Sequence, residues 1–262
     1  MMMNAGRFIS RGSGGVPLVC LHGIGGGAVN FASQLECLSD TRRVLAWDMP
    51  GYGGTTRLQS TTFAHLSDAL LNALDNEQID RAHIAGHSIG GMLAQEIFLR
   101  NPDRVTSLTL IATTPAFGGR DDSFKEKFLA ARLAPLNFGK TMADIAPSTV
   151  PHLVGPNTSA AVIEAAVNTM AAVPDETFRD ILACLVTFNR YREVESITAP
   201  CCLIAGEVDD NAPVATMRKM AQRLPDAEIH EIASAGHLVT MEESVICNDI
   251  VARFLARIDA SG

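Results

Sequence analysis

No stretch of this chain is apolar for long enough to span a membrane. The opening residues, Met1-Met2-Met3-Asn4-Ala5-Gly6-Arg7, carry no apolar core of a secretory signal, so the expected location is the cytoplasm. Basic residues are in the minority, 21 against 29 acidic ones. The resulting net charge of −8 argues against nucleic acid or an anionic membrane surface as partner. Cysteines at 20, 37, 184, 201, 202 and 247 form no Cys-x-x-Cys and have no histidine at metal-ligand spacing. Several fall in predicted strands or helices, where cysteine acts as a small apolar residue, so Cys201 and Cys202 are expected as buried strand residues and not as a redox pair. The glycines at 25 to 27 match neither Gly-x-Gly-x-x-Gly nor a Walker loop, which weakens a nucleotide-binding reading. No internal repeat or low-complexity linker interrupts the 262 residues, a length that suits one large domain or one domain carrying an insertion.

What is present is an alternation of strand and helix. Val16-Pro17-Leu18-Val19-Cys20-Leu21 is a continuous apolar run, the pattern of a strand covered on both faces. A weak strand candidate precedes it at 7–10. Further strands are predicted at 44–47, 81–85, 105–112, 201–205 and 227–232. Between them lie helices at about 30–38, from Thr61 or Thr62 as cap through Leu66, Leu70 and Leu74, at 92–100, about 214–224 and about 242–258. Such alternation is the signature of a mostly parallel sheet with helices on both faces. From Pro115 to about Pro200 the alternation stops. Ser159 as a cap and Pro174 as a first helical residue mark helices there, so residues 115–200 are predicted as a helical cap inserted in a core of 1–114 and 201–262.

The chemistry centres on Gly86-His87-Ser88-Ile89-Gly90, which follows a predicted strand and opens a predicted helix. Gly-x-Ser-x-Gly at such a corner is what a strained, exposed serine nucleophile requires. Serine also needs a base, and the base needs an orienting acid. Of seven histidines, His237 stands in the loop after the last strand, where a side chain reaches over the carboxyl ends of the strands. His87 is expected to point away from Ser88. A surface or structural role suits it, as it does His22, His65, His83, His152 and His230. Asp209 in Gly206-Glu207-Val208-Asp209-Asp210 is the chosen acid; Glu207 and Asp210 are adjacent competitors, Asp121 and Asp122 remoter ones. For the developing oxyanion, Ile89 supplies one backbone N–H and Ile24, in the glycine-rich loop after His22-Gly23, the second.

With these residues in place the chain resembles the α/β-hydrolase family, of the small, capped kind. The matching pieces are Leu21-His22-Gly23, Asp48-Met49-Pro50-Gly51-Tyr52-Gly53, the serine corner through Gly91, Gly206-Glu207-Val208-Asp209 with Pro213, and Gly236-His237 followed by Glu242. They stand in family order and span nearly the whole chain. Gly54-Thr55 replaces the usual Gly-x-Ser, and Ser244 replaces a proline. The resemblance implies an eight-stranded, mostly parallel sheet, its first hairpin reduced here, with the cap after the sixth strand. It also implies a Ser88, Asp209, His237 triad. The stretch from Leu45-Ala46-Trp47-Asp48 to Gln95-Glu96 is similar to 3-oxoadipate enol-lactonases. The function implied is cleavage of a small carboxylic ester or lactone through an acyl-enzyme, with no metal or organic cofactor. On the same scaffold the rivals are a carbon–carbon bond hydrolase of ring-cleavage products, a cofactor-free haloperoxidase or perhydrolase, and a small-ligand receptor without turnover. Ser88 in place of a carboxylate counts against dehalogenase and epoxide hydrolase chemistry. One or two of Arg120, Arg132, Lys140, Arg190 and Arg192 in the cap, if turned inward, would hold a substrate carboxylate.

Overall fold

A computed structural model describes residues 6–118 and 122–261. Seven strands form one sheet: β1 (Arg7–Arg11), β2 (Leu18–Leu21), β3 (Val44–Asp48), β4 (Ala82–His87), β5 (Val105–Ile111), β6 (Cys201–Gly206) and β7 (Ala227–Ile232). Their order is β1-β3-β2-β4-β5-β6-β7. All neighbours are parallel except β1, which runs antiparallel to β3. Among the described residues the reduced first hairpin is a single edge strand, which leaves seven of the eight strands of the full family pattern.

The strands are apolar on both faces because both are covered. Side chains alternate, so Val19, Leu21, Leu45, Trp47 and Leu203 enter one core layer and Leu18, Cys20, Val44, Ala46 and Ile204 enter the other. The first layer is closed by α2 (Phe63–Asn76), α3 (Ile89–Arg100) and α8 (Val214–Ala221), the second by α1 (Ala32–Cys37) and α10 (Ser244–Asp259). Thr62 caps α2, its side chain accepting from the His65 N–H. The helix expected near 30–38 is a 3-10 turn, Ala28–Phe31, leading into the short α1.

Between β5 and β6 the chain holds α4 (Asp122–Asn137), α5 (Met142–Thr149), α6 (Ala160–Ala171) and α7 (Asp175–Leu185). Ser159 caps α6 by accepting from Val162 N–H, and Pro174 stands just before the first helical residue of α7. The two ends of this excursion meet: Ala116 bridges Asn189, Phe117 N–H donates to Phe188, and Arg190 N–H donates to Pro115. Arg120 and Asp121, named above as a candidate cation and a candidate acid, lie outside the described residues, as does the side chain of Asp122. Among the described residues no helix is long and apolar enough to cross a membrane.

Candidate active site

Ser88 sits between the end of β4 and the start of α3 at φ 56°, ψ −120°, a conformation that a side chain rarely adopts. The crossing is too tight for side chains on either side. A Cβ on Gly86 would stand 2.2 Å from the Gly90 carbonyl oxygen, and one on Gly90 would stand 2.2 Å from that of Leu21. The corner is held from behind by Thr113, whose hydroxyl donates to the Ser88 carbonyl at 2.7 Å, and by Ser88 N–H donating to Ile111 at 2.9 Å. The corner presents the Ser88 side chain to the cleft, and its hydroxyl is directed to one place.

That place is His237, which follows β7 in the last loop before a single helical turn, α9 (Val239–Glu242). The Ser88 hydroxyl lies 3.0 Å from His237 Nε2, and His237 Nδ1 lies 2.8 Å from Asp209 Oδ2. Asp209 is the buried member of its acidic run; Glu207 and Asp210 are exposed, and Glu207 accepts instead from the Ser234 N–H. The other Asp209 oxygen accepts from Asn211 and Ala212 N–H at 2.7 and 3.1 Å. Burial pushes the Asp209 carboxyl up, but the bond to His237, its charge and the two amides outweigh burial and hold the carboxyl below its ordinary value. It is therefore an acceptor at neutral pH, which turns His237 with Nδ1–H toward the acid and Nε2 toward serine.

Ile89 opens α3, so its N–H has no acceptor within the helix. Ile24 lies across the cleft in a loop shaped by residues whose parts in it were not read from the sequence. Tyr52 hydroxyl donates to the Ile24 carbonyl at 2.6 Å, and Asp48 Oδ1 accepts from Ala28 N–H at 2.8 Å. His22 is wholly buried beneath; its Nδ1 donates to Gly23 and its Nε2 accepts from Met49 N–H. That pairing requires a neutral ring, and burial lowers the His22 pKa, with the Gly23 carbonyl and Asp48 opposing. Among the described residues neither the Ile24 nor the Ile89 N–H has a partner.

Among the described residues His87 makes no hydrogen bond to the serine hydroxyl, yet it is not a bystander. It is buried, its Nε2–H donates to the His237 carbonyl at 2.7 Å, and the two rings lie 5.0 Å apart. Burial, then the neighbouring His237, push its pKa down to about 3. His83 is also buried, between Ser107 and Asp259, while His65 and His152 are exposed.

A cavity of about 400 Å³ lies above Ser88 and His237. Its far wall is apolar and comes from the cap, with Phe128, Met142, Met170, Phe178 and Leu182. The structure separates the candidate cap cations. Arg190 makes a two-pronged bond to Glu96 at 2.7 and 3.1 Å, away from the cavity. Lys140 and Arg192 are exposed outside it. Arg132 lines it, its guanidinium 5.3 Å from the Phe128 ring centre, with no carboxylate partner among the described residues. For a metal, Cys202, Glu228 and His230 bring ligand atoms within 4.8 Å of one another. Glu228 is already bonded to His230 and Arg257, and burial drives the Cys202 thiol well above its ordinary pKa. Cys201 is likewise buried and pushed up to about 12, so neither thiol is ionised for redox chemistry at neutral pH.

Residues 16–244 match the family model of the alpha/beta hydrolase fold. The chain is an alpha/beta hydrolase fold protein. Within this family it is 31% identical over 255 residues to the dihydrolipoyllysine-residue acetyltransferase component of an acetoin cleaving system from Pseudomonas putida, covering 94% of this chain and 65% of that protein. The alpha/beta hydrolase chain thus spans less than two thirds of that relative's length. It is 25% identical over 250 residues to RutD of Azorhizobium caulinodans, a candidate carbamate hydrolase, covering 94% of this chain and 93% of that one. In structure it is similar to the enol-lactonase from Burkholderia xenovorans LB400, with a TM-score of 0.84 and 22% identity, covering 96% of each chain.

Proposed function

We propose that this chain is a serine hydrolase that cleaves a small carboxylic ester or lactone through an acyl-enzyme. The observation that carries the reading is the unbroken hydrogen-bonded path from Ser88 Oγ through His237 to Asp209, at the floor of a largely apolar cavity. In this reading His237 Nε2 takes the hydroxyl proton as Ser88 Oγ attacks the carbonyl carbon. The developing oxyanion is met by the N–H groups of Ile24 and Ile89, the latter at the positive end of α3. Asp209 stabilises the imidazolium. His237 then gives the proton to the leaving oxygen, takes one from water, and the hydroxide attacks the acyl-enzyme. Loss of Ser88 from the carbonyl carbon, with return of the proton, frees the acid. No step draws on a metal or organic cofactor.

The apolar cap wall suits a hydrophobic acyl or alcohol group, and Arg132 at that wall suits a substrate that also bears a carboxylate, as an enol-lactone does. Kinship with the candidate carbamate hydrolase favours a second reading on the same machinery, carbamate cleavage, in which His237 protonates a leaving amine.

Alkyl esters, lactones, enol-lactones, dienone acids and carbamates, each offered to the native protein and to Ser88→Ala, test the reading. Turnover of an ester or lactone that falls by at least about a thousandfold in the folded variant is expected, since nucleophile and base act as a unit. Activity retained within a factor of a few contradicts it. Turnover confined to dienone acids moves the assignment to carbon–carbon cleavage. Peracid formation on added peroxide moves it to the perhydrolase rival. One equivalent of fluorophosphonate bound with no turnover of any substrate moves it to a receptor.

A further inference from the structure

The main-chain groups at His237 are held by residues far away in the chain. The His237 N–H donates to the Leu153 carbonyl at 2.6 Å, and the His237 carbonyl accepts from His87. The preceding amide, Gly236 N–H, donates to both oxygens of Glu242 at 3.1 Å. One of those oxygens also accepts from Gly155 N–H at 2.6 Å and from the Thr158 hydroxyl at 2.7 Å. Leu153, Gly155 and Thr158 lie between α5 and α6, in the cap. The two backbones touch so closely that a Cβ on Gly155 would stand 1.9 Å from the Ser234 carbonyl oxygen. A single carboxylate therefore gathers donors from the base loop and from the cap.

We propose that Glu242 is a positioning residue for the base, tying Gly236 to Gly155 and Thr158 so that cap segment 153–158 fixes where the His237 imidazole stands. This rests on the reading of His237 as the base. Three donors converge on one carboxylate, and charge-assisted bonds of this kind are the strong ones. Releasing them lets the loop that follows β7 drift, and a displacement of about 1 Å at a reacting group costs about a hundredfold in rate. Leu153 lines the cavity, but Glu242, Gly155, Thr158 and Gly236 do not, so breaking the carboxylate's ties is expected to act on rate before binding. A glutamine at 242 keeps the shape but has one acceptor oxygen. With that oxygen where Gly155 and Thr158 donate, the NH2 is pressed against Gly236 N–H and only the longer 3.1 Å bond to Gly236 is left; with the amide turned, Gly155 and Thr158 lose their acceptor.

The test compares Glu242→Gln, Glu242→Ala and Thr158→Val with the native protein on one hydrolysed ester. A second readout, independent of turnover, is the downfield NMR signal of the His237 Nδ1 proton shared with Asp209. Glu242→Gln is expected to lower kcat at least tenfold with KM within twofold, and to broaden or shift that resonance. Glu242→Ala is expected to do the same to a greater degree, and Thr158→Val severalfold less. If Glu242→Ala does not fold, Glu242→Gln and Thr158→Val decide. A kcat within twofold of native in Glu242→Gln, or a rise in KM at unchanged kcat, overturns the proposal, as does an unmoved His237 resonance. Failure of the underlying reading looks different: native turnover is then indifferent to Ser88→Ala, whatever the resonance does.

Discussion

At the scale of single residues, the site depends on which side chains are charged. Asp209 is held ionised by its partners, while three buried histidines are held neutral. His22 and His87 each touch the cleft, and each spends one ring N–H on a backbone carbonyl that shapes it. Their ordinary pKa is 6.5, and burial lowers all three, His87 to about 3. The unfolded chain therefore takes up protons below about pH 6.5 that the folded chain refuses, so stability falls as pH falls. For His87 the fall extends from 6.5 to about 3, at about 1.4 kcal/mol per pH unit while only the unfolded form is protonated. Urea unfolding between pH 7 and 5 is expected to show a loss of stability. His87→Gln is expected to make that slope shallower by about 1.4 kcal/mol per unit at its lower end. Parallel slopes for the two proteins contradict the assignment of His87 as buried and neutral.

At the scale of elements, the Ser88 corner and the helical excursion between β5 and β6 share a helix. The elbow opens α3, and two turns later the same helix presents Glu96, whose side chain is 2% exposed, to Arg190 at the end of the cap. Beside that pair the two ends of the cap are joined by the Ala116–Asn189 bridge and its flanking bonds. Arg190, a candidate for substrate recognition in the sequence, is thus spent on closing the root of the cap. Removing the guanidinium leaves a buried carboxylate unpaired, which in buried pairs costs about 3–5 kcal/mol. Arg190 is itself about a third exposed, so Arg190→Met is expected to lose about 2 kcal/mol in urea unfolding. Replacing Glu96 by methionine as well is expected to recover most of that loss. A single variant within about 0.5 kcal/mol of native refutes the clamp.

At the scale of the whole molecule, three side chains separated by more than a hundred residues at the widest meet at one rim of the sheet. Their meeting was legible in the sequence because each ends or follows a strand, and parallel strands deliver their carboxyl ends to one edge. Ser88 was the plainest, since the glycines at 86 and 90 mark a crossing that tolerates no side chain. Chain order points to the acidic run from Glu207 to Asp210 without separating its members, and burial of Asp209 alone among them supplies the physical reason for that choice. The same alternation showed the succession of strands along the chain and the helical stretch between β5 and β6. The edge strand β1 showed only as a weak candidate at 7–10, because a half-exposed edge strand has no run of apolar residues to announce it. Glu242 and Tyr52 were read only as parts of the family motifs, and neither their contacts nor the fate of Arg190 was legible. Their partners lie at separations such as 87, 28 and 94 residues, with no local pattern to betray them.

In the proposed chemistry the Ser88 hydroxyl is made nucleophilic by His237. Labelling with a fluorophosphonate ester, followed by peptide mass analysis, tests it most directly. One equivalent of phosphonate on Ser88 in the native protein is predicted, none in Ser88→Ala, and labelling slowed by at least about a hundredfold in His237→Ala. An adduct on any other residue, or labelling of Ser88 at an undiminished rate without the imidazole at 237, would contradict it.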